Sequence, residues 1–200
     1  MKGLVDTKIL LKEILNKESG IRKGELLSHV AQIKVPTYHK PILLTDAAIN
    51  INPDAMTKIN ILDNVLKVAN NLNIQKPKVA VISAVEKLNE KMQSTQDAIK
   101  IVNYYKNNPH VIVEGPMAFD IAISKEAAKI KEYTSQVSGN LDIFLAPNIE
   151  TANVFYKSML HLANAQIGAV VVGASVPIVM TSRSDSDMTK LNSIKLAVEM

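Results

Sequence analysis

The sequence has no cysteine and no tryptophan among its 200 residues, and only three phenylalanines and five tyrosines. The absence of cysteine excludes disulfides, thiolate metal sites and a cysteine nucleophile, and it is typical of proteins of the reducing cytoplasm. The few aromatic rings leave little surface on which single-stranded nucleic acid could stack. The 23 basic and 19 acidic residues are interspersed and give a net charge of only +4. We therefore expect a cytoplasmic protein with no nucleic-acid partner.

Long hydrophobic runs are also absent. The longest weakly polar stretch, residues 167–180, is shorter than the roughly 20 residues that a membrane helix needs, and Pro177 interrupts it. We therefore expect no membrane span and no membrane partner. Hydrophobic residues make up 47% of the sequence and charged residues 21%, which is enough apolar material for a folded core.

Short apolar runs alternate with amphipathic helical segments along the sequence. The spacing predicts strands at 78–82, 111–113, 141–145, 168–173 and 177–180, and helices at 6–16, 54–73, 95–105, 124–131, 148–162 and 186–198. Two further apolar runs, 26–35 and 41–45, are close enough for a hairpin, so one antiparallel pair is expected. Short strands flanked by helices are typical of a parallel sheet covered on both faces. The predicted fold class is α/β, with a mostly parallel sheet and helices on both faces.

Polar residues collect at three points where a predicted strand ends, which is where ligands bind in open parallel sheets. The three junctions are Glu114, Gly115 and Pro116 with Asp120; Pro147, Asn148 and Glu150 with Asn153; and the segment 181–186. The first two also have structural interpretations. Asn148 is a competent N-cap, Glu150 lies in a first helical turn where acids are favoured, and Gly115-Pro116 most simply ends a strand.

The third junction is the most specific candidate for an anion site. Arg183 follows a predicted strand and precedes a helix start, where free amides and the helix dipole favour negative charge. Its guanidinium matches phosphate oxygens, Ser182 adds a hydroxyl donor, and Asp185 could orient a group or remove a proton. The alternative is ordinary helix capping by Ser184 or Ser186, since serine- and aspartate-rich helix starts are common.

Histidines offer no comparable pattern. The four histidines are scattered and have no metal-ligand spacing, so no metal site is predicted. His29, at the start of a predicted strand, is interpreted as structural.

Two long segments carry a resemblance to a known family. Residues 142–157 (DIFLAPNIETANVFYK) and 176–186 (VPIVMTSRSDS) resemble the phosphate acyltransferases, and the butyryltransferase branch is nearer than the acetyltransferase branch. Shorter segments at 1–7, 27–30, 44–47 and 115–120 agree with it. The resemblance implies transfer of an acyl group between coenzyme A and inorganic phosphate, with acyl-CoA and phosphate as substrates and no metal or other cofactor. It also implies a fold like the isocitrate and isopropylmalate dehydrogenases, with the active site in a cleft between two α/β/α domains.

The resemblance assigns roles to particular residues. Ser182 and Arg183 would bind phosphate and stabilise charge on the thioester. In the acetyl relatives an aspartate a few residues further on is the proposed base; Asp185 is the nearest acid here, whereas an ungapped alignment puts that position nearer Thr189. Further matches to family motifs, taken as substrate-binding positions, are Gly115, Asp120, Asn148, Glu150, Asn153 and Lys157.

Length is the main departure from the family. The sequence opens on a helix, whereas an α/β sheet normally begins with a strand, and it starts where roughly the first third of a family member has ended. We therefore expect an incomplete first domain: residues 1–20 as its remnant, 21–175 as the central α/β domain, and 176–200 as the closing strand and helix of the first domain.

The alternative to an active enzyme is an inactive fragment, and a homo-oligomer is expected. A third hypothesis is that a protein of this fold transfers the acyl group from acyl carrier protein to phosphate.

Overall fold

The computed structural model describes residues 1–2, 5–16, 18, 21, 23, 26–182 and 185–200. Arg183 and Ser184 lie outside the described residues. The strands are β1 Ser28–Lys34, β2 Ile42–Thr45, β3 Lys78–Ile82, β4 Ile112–Met117, β5 Ile143–Leu145 and β6 Gln166–Val172. The helices are α1 Thr7–Ile14, α2 Ala55–Asn71, α3 Gln93–Tyr105, α4 Phe119–Ile123, α5 Lys125–Ile130, α6 Ile149–Leu162 and α7 Asp187–Val198.

The strands form one mixed sheet in the order β4-β3-β5-β2-β1-β6. Strands β4, β3, β5 and β2 pair in parallel, as predicted. The predicted hairpin is also confirmed, with Val30 opposite Thr45 and Ile33 opposite Ile42. A second antiparallel pairing, between β1 and β6, was not predicted. Because β1 alone runs against the other five strands, its amino end lies at the edge of the sheet where the others have their carboxyl ends.

Helices cover both faces of the sheet, as the fold class predicted. Successive side chains of a strand point to opposite faces. One face packs against α2, α3 and α7 through a cluster that includes Val30, Leu43, Val79, Ile143, Val170 and Leu196. The other face packs against α4, α5 and α6 through a cluster that includes Ala31, Leu44, Ala80, Ile121, Phe144 and Ala152. Burial on both faces explains why these strands are continuous apolar runs in the sequence.

Two local predictions are wrong. Residues 177–180 were expected to form a strand, but they meet β6 only at one bridge, between Val171 and Ile178. Pro177 has no amide hydrogen to donate, which limits a continuing ladder there. Gly115-Pro116 was expected to end a strand, but β4 continues to Met117. The proline is tolerated because β4 lies at the edge of the sheet that the described strands form, with no described strand beside its outer amides.

Two further features bear on the whole chain. In the ranges that the structure describes, no helix is both long enough and apolar enough to cross a bilayer. Helix α7 packs against β6 so closely that a side chain on Gly168 would come within 2.7 Å of the Asn192 carbonyl oxygen. The division of the chain into parts of two domains stays a prediction.

Candidate functional site

A pocket of about 310 Å³ opens at the edge of the sheet where β2 ends and β1 begins. Four parts of the chain that are far apart in sequence build most of its wall: the start of β1, the loop after β2, helix α6 and the segment before α7. The lining residues are Lys2, His29, Ala47, Ala48, Ile149, Asn153, Tyr156, Lys157, Met180, Thr181, Ser182 and Asp185.

Four of the residues predicted from the sequence meet in this pocket. Asn153 and Lys157 come from α6, and Ser182 and Asp185 come from the segment before α7. Asn153 of the second sequence junction therefore lies at the same site as Ser182 and Asp185 of the third. Arg183 lies outside the described residues.

Asp185 closes a short loop at the pocket wall. The Ser182 amide donates to Asp185 Oδ2 at 2.7 Å, and the Asp185 amide donates to the Ser182 carbonyl at 3.2 Å. Asp185 is 5% exposed, and its Oδ1 has no hydrogen-bond partner among the described residues. Unpaired buried polar atoms are rare in native proteins, so this oxygen needs an explanation.

Helix capping, the alternative interpretation of this segment, is performed by Ser186. Its hydroxyl accepts from the Thr189 amide at 3.2 Å and lies 3.1 Å from the Thr189 hydroxyl. Thr189 is buried within this cap and does not line the pocket. The cap therefore uses Ser186 and Thr189 and leaves Asp185 to the pocket.

His29, interpreted as structural from the sequence, lies in the pocket wall. It is 5% exposed, and its Nδ1 has no hydrogen-bond partner in the part of the chain that the structure describes. Burial lowers the pKa of His29 below its usual 6.5, and the charges of Asp46 and Asp185 oppose that shift. The imidazole is therefore neutral near pH 7. Its ring meets the ring of Tyr156 edge-on, with 6.2 Å between centroids.

No spacing rule in the sequence identifies His29 as a site residue. Its place depends on the reversed direction of β1, which brings the amino end of that strand to the carboxyl edge of its neighbours. Tyr156 was also missed, because a tyrosine on the apolar face of a helix is usually a core residue.

The buried carboxylate of Asp46 shapes the loop after β2. It accepts hydrogen bonds from the amides of Ala48 at 2.9 Å and Ile49 at 3.0 Å, and from the Asn50 side chain at 2.7 Å. The Asn153 side chain donates to the Ala47 carbonyl at 3.3 Å and ties this loop to α6. These bonds hold the small side chains of Ala47 and Ala48 at the pocket wall.

Two lysines give the pocket positive charge. Lys2 is buried, and its Nζ donates to the Val5 carbonyl at 3.1 Å. The Lys157 Nζ lies 5.3 Å from the centroid of the Tyr156 ring, within the range of a cation–π contact. Burial, with a smaller contribution from the charge of Asp185, raises the pKa of Tyr156, so the phenol beneath Lys157 is uncharged.

The other candidate residues lie elsewhere. Asn148 is the N-cap of α6, with its Oδ1 3.0 Å from the Thr151 amide, and it lines a different pocket between the loops after β3 and β5. Glu150 is exposed in the first turn of the same helix.

Gly115 and Asp120, from the first junction, are also separate from the pocket. A Cβ on Gly115 would lie 2.8 Å from both the Cβ and the carbonyl oxygen of Val81, so glycine lets β4 approach β3. The exposed side chain of Asp120 forms an ion pair with Lys131 at 3.0 Å. The hydrogen bond from Lys131 lowers the pKa of Asp120.

The described side chains include no group of three or more histidine, aspartate or glutamate residues arranged to hold a metal ion. The pocket instead combines cationic, hydroxyl, imidazole and carboxylate groups with an apolar wall, which suits an anionic substrate that carries an apolar group.

Comparisons with known proteins identify what the chain resembles. A family model described as "Phosphate acetyl/butaryl transferase" matches residues 1–198. The phosphate butyryltransferase of Clostridium acetobutylicum is 47% identical over 199 residues, which are 98% of this chain and 66% of that protein. A probable phosphate butyryltransferase of Bacillus subtilis is 42% identical over 200 residues, 99% of this chain and 67% of that protein.

A solved structure agrees with the sequence comparisons. A branched-chain phosphotransacylase from Enterococcus faecalis superposes with a TM-score of 0.93 at 39% identity, covering 99% of this chain and 71% of that one. The chain spans about two thirds of the length of these curated relatives, 66% of the Clostridium acetobutylicum protein and 67% of the Bacillus subtilis protein.

Proposed function

This chain belongs to the phosphate acetyl/butaryl transferase family, and we propose from that premise that it moves a short-chain acyl group between coenzyme A and inorganic phosphate. The proposed reaction is butyryl-CoA plus phosphate giving butyryl phosphate plus CoA. One observation carries the proposal: Ser182, Asp185, Asn153 and Lys157, all named by the family resemblance, line a single pocket.

The charges of the pocket support phosphate as one substrate. Lys2 and Lys157 carry positive charge, and Ser182 contributes a hydroxyl that can donate to a phosphate oxygen. Arg183 adjoins Ser182 in the sequence, and its planar guanidinium can bind two phosphate oxygens at once. We assign Ser182 and Arg183 to phosphate binding and to stabilising the oxyanion that forms as the thioester carbonyl is attacked.

The apolar part of the wall supports an acyl group as the transferred unit. Ala47, Ala48, Ile149 and Met180 line the pocket beside the polar groups. An acyl chain placed against them would have its carbonyl at the polar side, near the phosphate. When phosphate and the acyl thioester are bound side by side, they lose little further entropy on reaching the transition state. This positioning accounts for a large part of the rate enhancement in such transfers.

Release of free thiol from butyryl-CoA, with and without phosphate, tests the proposal. We expect thiol release that depends on phosphate, and an Arg183→Ala variant that is about 100-fold slower or worse, as when an oxyanion-stabilising donor is removed. Lys190→Ala is the matched control, because Lys190 is a cation on α7 that pairs with Asp187 outside the pocket. Thiol release without phosphate dependence, or equal activity of Arg183→Ala and wild type, would contradict the proposal.

The remaining expectations of the resemblance belong to the same proposal. We propose that the reaction needs no metal and no further cofactor, so dialysis against EDTA should leave the rate unchanged; a loss that added divalent metal restores would contradict this. The cytoplasmic location stays a prediction from the sequence. The homo-oligomer also stays a prediction, and light scattering coupled to size-exclusion chromatography measures it directly.

A further inference from the structure

Two buried polar atoms in the pocket wall have no hydrogen-bond partner among the residues that the structure describes. They are His29 Nδ1 and Asp185 Oδ1, and both residues are 5% exposed. Buried polar atoms without a partner are rare in native proteins, so the presence of two in one pocket wall needs an explanation. One is on an imidazole and the other on a carboxylate, which together can bind and stabilise a proton.

We propose that His29 carries the proton that moves between phosphate and the sulfur of coenzyme A, an inference that rests on the function proposed above. Hydrogen phosphate enters the reaction with one proton, and the acyl phosphate product leaves without it. The new bond joins a phosphate oxygen to the acyl carbon, and the bond that breaks joins that carbon to sulfur. The thiolate that leaves takes up one proton to become the CoA thiol. One proton therefore passes from phosphate to sulfur, and no net proton is gained or lost.

A neutral imidazole in the pocket meets the needs of this transfer. It accepts the proton from the phosphate hydroxyl as the oxygen attacks, and it returns the proton to sulfur as the carbon–sulfur bond breaks. Burial keeps His29 uncharged in the resting protein, so it begins as the free base. After one cycle the imidazole is neutral again, as the proton balance requires.

The groups around His29 come from every element that builds the pocket. Asp46, after β2, and Asp185, before α7, are negative and stabilise the imidazolium while it exists. Lys2 and Lys157 are the cations that line the same pocket. Tyr156 of α6 presents an uncharged ring. At the imidazole, burial therefore opposes the effect of two carboxylates, an arrangement in which proton gain and loss are both accessible.

The structure also removes a competing candidate. An ungapped alignment places the proposed base of the acetyl relatives nearer Thr189, but that hydroxyl is buried and engaged with the Ser186 cap. An alkyl hydroxyl held in a helix cap does not act as a base near neutral pH. We assign Asp185 as a positioning residue, whose Oδ1 is available to the protonated His29.

The test replaces His29 by glutamine, which keeps a polar side chain but cannot titrate. We expect His29→Gln to lower kcat about 100-fold or more, in the range typical of a lost acid–base group, with KM for phosphate within threefold of wild type. Added imidazole should restore activity to His29→Ala in proportion to its free-base fraction. The matched control is His110→Gln, since His110 is exposed and outside the pocket, and it should keep wild-type activity.

A measurement on the unaltered chain makes the test independent of how the variants fold. Inorganic phosphate should shift the ring-proton NMR resonance of His29 while leaving that of His110 in place. An active wild type with His29→Gln within threefold of it, or a His29 resonance that phosphate does not move, would overturn this inference alone. A wild-type chain with no phosphate-dependent thiol release would overturn the proposed function and this inference with it.

Discussion

The main-chain amide of Ser182 donates a hydrogen bond to Asp185, with 2.7 Å between the nitrogen and Oδ2. The Asp185 amide donates back to the Ser182 carbonyl at 3.2 Å. The two residues are therefore one structural unit at the pocket wall, and the carboxylate sets the position of the serine.

Replacing Asp185 separates its loop-closing role from its charge. Asp185→Asn keeps an oxygen that can accept from the Ser182 amide, whereas Asp185→Ala removes the acceptor. A hydrogen bond to a charged group contributes about 1.5–3 kcal/mol, so the alanine variant should unfold at lower urea than the asparagine variant. The alanine variant should also have a kcat/KM for phosphate more than tenfold below that of the wild type. Equal stability and equal activity of the two variants would contradict the loop-closing role.

Lys157→Met tests the lysine that lies over Tyr156. Loss of one charge contact with phosphate should raise the KM for phosphate about tenfold, equivalent to about 1.4 kcal/mol, because methionine keeps most of the apolar stem but not the charge. Lys190→Met removes an exposed charge away from the pocket and should leave this KM unchanged. Initial rates over a range of phosphate concentrations provide the measurement; equal KM values for both variants would count against a phosphate contact at Lys157.

Asn148 is predicted to act through the stability of α6. Its side chain caps the helix by accepting from Thr151, so Asn148→Ala should lower the free energy of unfolding by about 1 kcal/mol. Asn148→Asp retains a capping oxygen and should remain close to wild type. The measurement is urea unfolding followed by circular dichroism. An aspartate variant as unstable as the alanine variant would show that capping is not what Asn148 contributes.

A buried ion pair joins α2 to α3. The Lys58 Nζ lies 2.6 Å from Asp97 Oδ2, and both side chains are almost fully buried. Lys58→Met leaves the carboxylate buried without its cation and should cost about 3–5 kcal/mol. The double variant Lys58→Met/Asp97→Leu should recover most of that loss, since neither charge is then buried alone. Additive losses in the double-mutant cycle would rule out this coupling.

The pH dependence of stability should carry a contribution from His29. Its pKa in the folded protein is lowered from 6.5 by burial, so the unfolded chain binds the proton more readily. The contribution of neutral His29 to the free energy of unfolding is therefore complete above about pH 6.5 and is lost as the pH falls from there through the folded pKa. The free energy of unfolding changes by at most about 1.4 kcal/mol per pH unit in that range. Unfolding free energies between pH 8 and pH 5 should fall more steeply for wild type than for His29→Gln. Parallel curves would show that His29 is not held neutral by the fold.

Much of the local structure was accessible from the sequence because it depends on neighbours along the chain. The apolar periodicity predicted α2, α6 and α7 and most strands to within a few residues. The composition of the segment 181–186 indicated Ser182 and Asp185 as candidates, and both line the pocket, while their roles stay predictions. Helix α4 was not predicted, since its five residues are too few to show a helical period.

The sequence by itself determined most of the helices and strands, the α/β class, and the family, because each depends on residue types and their order. Only the tertiary structure decided that β1 also pairs with β6, and that its first residues bring His29 to the same pocket as Asp185. It also decided that Ser186 caps α7 while Asp185 lines the pocket. These outcomes depend on which segments, distant in the sequence, lie side by side at one edge of the sheet. That arrangement depends on how the two faces of the sheet are packed, and no local spacing in the sequence encodes it.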